Sequence, residues 1–302
     1  MSTIRLVMAA VAVSISATIG IAHAEPLKPF VLGDTPPGDM ARVVVVVKSS
    51  LQAKGFEVVG SYSPYANATV ICATNAELKE AAAKAENGGF GVAQRVAVTL
   101  LDGKIQVSYV NPAYIGTAYG LGKLESTAQA LKSALGHRFE YGSKGIEEDQ
   151  LKPGSYHYSV GMPYFQNIDV MAKHADYKTA VDIVEKNLAS KKGGTQKVYR
   201  IDLPGKEISV FGVGIIAGDG VDKGDKDTDK EIMDTIDFQD PRSTAYLPYE
   251  LMVVENQVMA LRGRYRIAVN FPDLSMAGKH GFTKIMSAPG GIKAALTAVS
   301  RP

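Results

Sequence analysis

The sequence has no tryptophan, and Cys72 is its single cysteine. One cysteine excludes an intramolecular disulfide, so packing has to stabilise the fold. Cys72 lies in the apolar run at residues 68–73, which favours a buried, inert thiol over a reactive or dimer-linking one. An excess of charge is also missing: the formal charge is +2, and +1 without Arg5. We therefore expect neither nucleic acid nor an anionic membrane as a partner.

Long apolar runs are absent except at the amino terminus. There Arg5 is followed by an apolar stretch at residues 6–22 and by Ala22-His23-Ala24. This pattern predicts a signal peptide at residues 1–24 that is cleaved before Glu25. An uncleaved anchor is the alternative, because the stretch is just long enough to span a bilayer. We expect a soluble, periplasmic mature protein that is not a lipoprotein, since residue 25 is not cysteine.

The mature chain repeats one succession of signals. In the first half, a helix ends at Lys54-Gly55, an apolar run covers residues 68–73, and Asn75 begins a second helix. Two β-type runs at residues 95–100 and 104–110 are joined by Asp102-Gly103, a hairpin signal. Pro112 then ends the strand, and a helix with Leu124, Ala128, Leu131 and Leu135 closes the half.

The second half gives the same signals more loosely. Apolar residues from Tyr177 to Leu188 predict a helix that stops at Gly193-Gly194, an apolar run covers residues 208–216, and Thr228 begins another helix. Runs at residues 250–255, 258–261 and 265–270 predict strands, the last of which ends at Pro272. A final helix begins at residues 282–286, is interrupted at Pro289, and resumes at residues 292–299.

These signals predict an α+β fold of two similar domains, at residues 25–136 and 176–302, joined by a connector at residues 137–175. Each domain should have a small, mainly antiparallel sheet with helices packed on one face. If the halves arose by duplication, Gly55 should correspond to Gly193, and Pro112 to Pro272. Both glycines would stop helices and both prolines would end strands.

Several stretches of the first half carry a resemblance to a known family: 47–51 with Gly55-Phe56, 70–75, 96–101 with Gly103, 107–109, and Asn111-Pro112. In this order they resemble the bacterial family called domain of unknown function 302. Residues 247–251 and 268–272 resemble it more loosely in the second half. The resemblance implies a tandem pair of compact α+β domains, and it implies no activity.

Metal and cofactor motifs are not recognisable in the sequence, and we predict neither. The histidines His137, His157, His174 and His280 have no metal-ligand spacing, which favours scattered surface positions. Acids recur at positions 219, 222, 225, 227, 229 and 231, but a calcium loop that began at Asp225 would have Lys230 where glycine is required. A solvated loop and helix start is the better interpretation, with a weak calcium site as the alternative.

The sequence also has no recognisable phosphate-binding motif and no recognisable motif for a catalytic nucleophile. Residues 116–123 and 212–214 have the wrong glycine spacing for a phosphate loop. No Gly-x-Ser-x-Gly sequence occurs, and Cys72 has no recognisable histidine partner.

Tyrosine-rich segments remain as candidates for a ligand site. Tyrosine combines apolar area with a hydroxyl group and is common in clefts, but it is equally common in half-buried strands. The candidate ligand-binding residues are Tyr109, Asn111, Tyr114, Tyr119, Tyr156 and His157.

Two functions are compatible with the sequence. The first is an accessory module without catalytic activity that holds a small ligand or a protein at the junction of the two halves. The alternative is a periplasmic enzyme with a site near Tyr109 to Tyr119, which a strongly shifted pKa inside a deep cleft would favour.

Overall fold

The computed structural model describes residues 25–217 and 227–302, and it contains two antiparallel sheets flanked by helices. The predicted α+β class is confirmed. Within these ranges, no helix is long and apolar enough to cross a bilayer. The predicted signal peptide and the acids Asp219, Asp222 and Asp225 lie outside the described residues.

The first half covers residues 25–141 and is built on a six-stranded sheet. Its strand order is β2-β3-β4-β5-β1-β6, and every pair is antiparallel. Its elements are β1 (Phe30–Leu32), α1 (Met40–Ala53), β2 (Glu57–Tyr62), β3 (Ala68–Thr74), α2 (Ala76–Lys84), β4 (Gln94–Leu101), β5 (Lys104–Val110), α3 (Pro112–Ala118), α4 (Glu125–Leu135) and β6 (Phe139–Tyr141).

A linking segment at residues 142–167 contains α5 (Glu148–Leu151). The second half, residues 168–302, has a five-stranded sheet in the order β7-β11-β10-β9-β8. Its elements are β7 (Ile168–Lys173), α6 (Tyr177–Ala189), β8 (Thr195–Asp202), β9 (Ile208–Ile215), α7 (Asp229–Ile236), β10 (Tyr249–Val254), β11 (Gln257–Leu261), α8 (Gly263–Asn270) and α9 (Ala288–Ser300).

Local signals in the sequence explain where these elements begin and turn. The Asp39 side chain caps α1 by accepting from the Arg42 amide at 2.8 Å, and the Asn75 side chain caps α2 in the same way. Between β4 and β5, Asp102 and Gly103 both have positive φ angles of 48° and 76°, as a tight hairpin turn requires. The predicted hairpin is therefore confirmed.

The two sheets share one strand plan. Strands β1, β2, β3, β4 and β5 of the first sheet occupy the same relative positions as β7, β8, β9, β10 and β11, respectively, of the second. A β-bulge lies immediately before Gly60 in β2 and immediately before Tyr199 in β8. Gly55 and Gly193 each have a positive φ and lie two residues before the strand that follows. An origin by duplication stays a prediction that these correspondences support.

The predicted strand at residues 265–270 is wrong, because these residues form helix α8. Every residue from Tyr265 to Asn270 is buried, so no polar face reveals the helical period. Consequently Pro272 follows a helix rather than a strand. By its place after the hairpin, the counterpart of Pro112 is Gly263, and the predicted pairing of Pro112 with Pro272 is wrong.

The predicted interruption of the last helix at Pro289 is also wrong. Pro289 lies in the first turn of α9, where proline costs no hydrogen bond because the first amides of a helix have no partner within it. A separate 3-10 turn covers Phe282–Ile285. The sheets also extend past the predicted domain boundaries, since β6 and β7 both lie within the predicted connector at residues 137–175.

The two halves pack together, and a short turn of each half contacts the sheet of the other. Helix α1 packs across β2, β3 and β4, and α6 packs on β8, β10 and β11. Each sheet also contacts a 3-10 turn from the other half: Thr244–Tyr246 contacts β3, β4 and β5, and Gly88–Gly91 contacts β9 and β10. The core is thus continuous across the two halves.

Candidate functional site

Tyr109 and Asn111, two of the predicted ligand residues, use their polar atoms on the protein's own backbone. The Tyr109 hydroxyl donates to the Gly136 carbonyl at 2.9 Å. The Asn111 oxygen accepts from the Ala113 amide at 3.2 Å and caps α3, while its amide nitrogen donates to the Lys28 carbonyl at 2.9 Å. Both residues are almost fully buried, so they fix the ends of α3 and α4.

Tyr114 and its positional counterpart Tyr265 make a reciprocal pair of hydrogen bonds between α3 and α8. The Tyr114 hydroxyl donates to the Val269 carbonyl at 2.8 Å. The Tyr265 hydroxyl donates to the Ala118 carbonyl at 3.3 Å. Ala118 and Val269 each lie four residues after their tyrosine, so the two contacts are related as if by a two-fold axis. Tyr114 therefore joins the halves.

The last three predicted ligand residues, Tyr119, Tyr156 and His157, lie in different surroundings. Tyr156 donates to the Ala268 carbonyl at 2.9 Å, and Tyr119 is fully buried and stacks on Phe165 with 4.8 Å between ring centres. His157 lies in an open cleft against the edge of Tyr164. The structure thus places Tyr109, Asn111, Tyr114, Tyr119 and Tyr156 in packing roles and His157 at a surface, and a ligand-binding role for them stays a prediction.

A buried ion cluster, which the sequence pattern did not predict, joins the two sheets. Glu250 of β10 lies between Arg95 of β4 and Arg266 of α8, and each side chain is 2% exposed. The Glu250 carboxylate accepts from Arg95 Nη1 at 2.6 Å, and from Arg266 Nε at 2.9 Å and Nη2 at 3.1 Å. Arg266 also lies 4.6 Å from the ring centre of Tyr246. One carboxylate therefore faces two guanidinium groups in the core.

One concave surface that both halves line is the inter-half cleft. It has a volume of about 710 Å³ and is lined by β6 with the start of the linking segment, by residues from the end of α7 to Ser243, and by residues of the segment 271–280 after α8. The Tyr141 hydroxyl, which donates to the Arg242 carbonyl at 2.7 Å, ties β6 to the second half. The volume lies in the range of small-molecule sites.

Aromatic side chains are exposed around this cleft. Phe139 and Phe238 are each 45% exposed. Phe238 stacks on His280 with ring centres 4.1 Å apart, and His280 is held by a 2.8 Å contact between Nδ1 and the Thr235 carbonyl. Large exposed aromatics in a concave surface leave apolar area that a ligand can cover.

The charged groups of the cleft include two lysines and four acids: Lys28, Lys144, Glu140, Asp237, Asp240 and Asp273. Burial raises the pKa of Asp237 to about 7, against the effect of hydrogen bonds from Ser243 and Thr244. Asp237 Oδ1 accepts from the Ser243 amide at 2.7 Å, and Asp273 accepts from the Lys144 amide at 2.7 Å. These two carboxylates therefore already hold the loops that shape the cleft.

A second buried acid, Asp229, lies at the start of α7. It is 0% exposed, so the prediction of a solvated helix start is wrong for this residue. Its Oδ2 accepts from the Tyr62 hydroxyl at 2.8 Å and from the Ile215 amide at 3.0 Å. Burial raises the pKa of Asp229 to about 7. Asp229 thus connects α7 to β2 of the first half.

Cys72 is fully buried, as the sequence predicted. Burial raises the pKa of its thiol to about 12, which suppresses the reactive thiolate. Among residues 25–217 and 227–302, no group of three or more His, Cys, Asp or Glu side chains is placed to hold a metal ion.

Comparison with known proteins identifies no relative of this chain. No family model, curated protein or solved structure matches the chain.

Proposed function

We propose that this protein is an exported binding module without catalytic activity, and that it holds a small organic ligand in the inter-half cleft. The observation that carries the proposal is the cleft itself, because both halves line it and it exposes Phe139 and Phe238. A rigid concave site with exposed aromatic rings binds a ligand at a low cost in conformational entropy.

The lining favours a ligand with a flat apolar part and a polar edge. Phe139 and the stacked Phe238–His280 pair offer ring faces and edges. Lys28 of the first half, Lys144 of the linking segment and Asp240 of the second half add charged groups to the lining. A protein side chain of similar shape would fit the same lining, so a protein partner is the other outcome of the test below.

Enzymatic activity is the second candidate, and the raised pKa of Asp237 is the observation that favours it. A carboxyl group that titrates near pH 7 can act as a general acid or base. Asp237 is only 4% exposed, and both of its oxygens accept hydrogen bonds, from the Ser243 amide and from the Thr244 hydroxyl. These contacts favour a structural role, and hence binding over catalysis.

Native mass spectrometry of protein purified from its own host tests the binding proposal. We expect a small-molecule mass excess on the wild-type protein and on Val45→Ser, which removes an exposed apolar side chain from α1. The double variant Phe139→Ser, Phe238→Ser should lose this excess. The same excess in all three proteins, or none in the wild type, would contradict the proposal, and a co-purified protein that the double variant loses would favour the protein-partner alternative.

Export is tested by the intact mass of the same sample. The amino-terminal pattern of Arg5, an apolar stretch and Ala22-His23-Ala24 supports cleavage after Ala24. The mature protein should begin at Glu25. A mass that includes Met1 in protein extracted from membranes would contradict export with cleavage.

Membership of the domain of unknown function 302 family is likewise proposed. The helix that ends before Gly55-Phe56, the strand at residues 68–74 and the hairpin that leads to Asn111-Pro112 support it. The shared strand plan of the two sheets supports a tandem pair.

A further inference from the structure

A second cleft lies on the second half and the linking segment, and its charge is predominantly positive. It has a volume of about 990 Å³. Arg262, Arg264 and Lys293 line it together with His157, and Asp169 is the one acid among its lining residues. We call it the basic cleft. Because the whole chain is nearly neutral, this concentration of charge is a local feature.

Asp169 neutralises only part of this charge. Its Oδ1 lies 3.1 Å from Lys293 Nζ and 3.6 Å from Arg262 Nε. Arg264 makes no ion pair with any residue in the described part of the chain. An anion in the cleft would therefore meet a guanidinium group whose donors are not committed to a carboxylate.

The start of helix α8 lies at the same cleft. In the first half, the Asn111 side chain caps the equivalent helix α3. Arg262 takes the capping position of α8 and makes no side-chain capping hydrogen bond. Gly263 and Arg264, the first residues of α8, line the cleft, and this helix start lacks the side-chain cap that α3 has.

An apolar pocket of about 60 Å³ adjoins the basic cleft, and Arg264 and Met162 line both. The rest of its lining is mainly apolar and includes Ile267, Leu274 and Met276. Met276 is 52% exposed, so the pocket reaches the surface. Since a water molecule takes up about 30 Å³ of the liquid, the pocket has room for a short alkyl group.

We propose that the basic cleft and this pocket together bind an amphiphilic anion: a carboxylate at Arg264, with Arg262 and Lys293 beside it, and a short alkyl chain among Ile267, Leu274 and Met276. The pairing of a cationic wall with an apolar pocket at one shared arginine carries this inference. Phe271 and Leu274 line both the apolar pocket and the inter-half cleft, but none of the three cations of the basic cleft lines the inter-half cleft.

Calorimetric titration of the full mature protein with hexanoate, at low ionic strength, tests the proposal. Hexanoate should bind, and Arg264→Gln should weaken binding about 10-fold because it removes the uncommitted cation. Met276→Ser should weaken hexanoate binding without changing the weak binding of acetate. The control Arg42→Gln, at an exposed position on α1, should bind like the wild type.

Three results would overturn the proposal: no binding of hexanoate, equal binding of hexylamine, or an unchanged hexanoate affinity in Arg264→Gln. Inorganic phosphate that bound as tightly as hexanoate would overturn the role of the apolar pocket. Urea midpoints of each variant check the fold, and Arg264 and Met276 are both exposed. The Phe139→Ser, Phe238→Ser variant should bind hexanoate normally, so this site and the inter-half cleft fail or succeed separately.

Discussion

Replacing Glu250 by glutamine is the sharpest test of how the halves are held together. The substitution keeps the size of the side chain and removes its charge. Glu250 accepts three charge-assisted hydrogen bonds from Arg95 and Arg266. A glutamine oxygen could retain some of these contacts, but both guanidinium groups would stay charged and buried without a counter-ion.

The expected loss is large because burial removes the screening that weakens surface ion pairs. Breaking a buried, hydrogen-bonded pair by removing one partner costs about 3 to 5 kcal/mol. With a urea dependence of about 2 to 3 kcal/mol per molar, this corresponds to a midpoint lowered by about 1 to 2.5 M. The matched control is Glu148→Gln, whose partner Lys123 lies 3.1 Å away in a pair that is 58% and 36% exposed. That change should cost less than about 0.5 kcal/mol.

Urea unfolding followed by circular dichroism measures both variants. A Glu250→Gln midpoint within error of Glu148→Gln would refute the reasoning, since it would mean that the buried charges are compensated by other groups. If the unmet charge is the cause, replacing Arg95, Glu250 and Arg266 together by methionine should restore stability beyond that of Glu250→Gln, because no buried charge would remain.

Three further predictions follow from burial. Asp229 and Asp237 have pKa values raised from 3.8 to about 7, so between these pH values the folded state binds more protons than the unfolded state. The free energy of unfolding should therefore fall as the pH rises from about 4 to about 7. Urea titrations of the variant with both aspartates replaced by asparagine should show a weaker dependence on pH. Leu131→Ala should cost about 2 to 5 kcal/mol and Lys132→Ala less than about 0.5, since Leu131 is 0% exposed and Lys132 exposed. Cys72 should not react with a thiol reagent until the protein unfolds.

Much of the fold could be read from the sequence because its signals are local. Helix α1 is predicted by Val47, Leu51 and Gly55, and the first hairpin by Asp102-Gly103, and neither depends on the rest of the chain. Helix α8 could not be read, because every residue from Tyr265 to Asn270 is buried and these residues show no regular alternation of polar and apolar faces. Residues of the first half pack against α8, so positions that would face solvent in an isolated half are buried and the 3.6-residue pattern of a surface helix is lost.

The candidate site was harder to predict for the same reason. The sequence favours Tyr109 and Tyr114 as ligand residues because tyrosine combines apolar area with a hydroxyl group, but whether that hydroxyl faces a ligand or a carbonyl depends on which backbone lies opposite. Here that backbone belongs to distant segments, at Gly136 and Val269. The aromatic lining of the inter-half cleft comes from Phe139 and Phe238, which are far apart in sequence. A charged residue inside an apolar strand, such as Arg95, was the one available signal of the buried cluster.

The ion cluster also bears on why two such halves would share one chain. By strand register, Arg95 pairs with Cys72 and then Gly60, while Glu250 pairs with Gly212 and then Tyr199. With the bulges aligned, Arg95 and Glu250 occupy equivalent positions. In a symmetric dimer of identical units, such a position near the axis would face its own copy and bring like charges together. Two halves within one chain can differ, so opposite charges meet there, and differences between equivalent positions, such as Asn111 and Arg262, are where separate binding roles would arise.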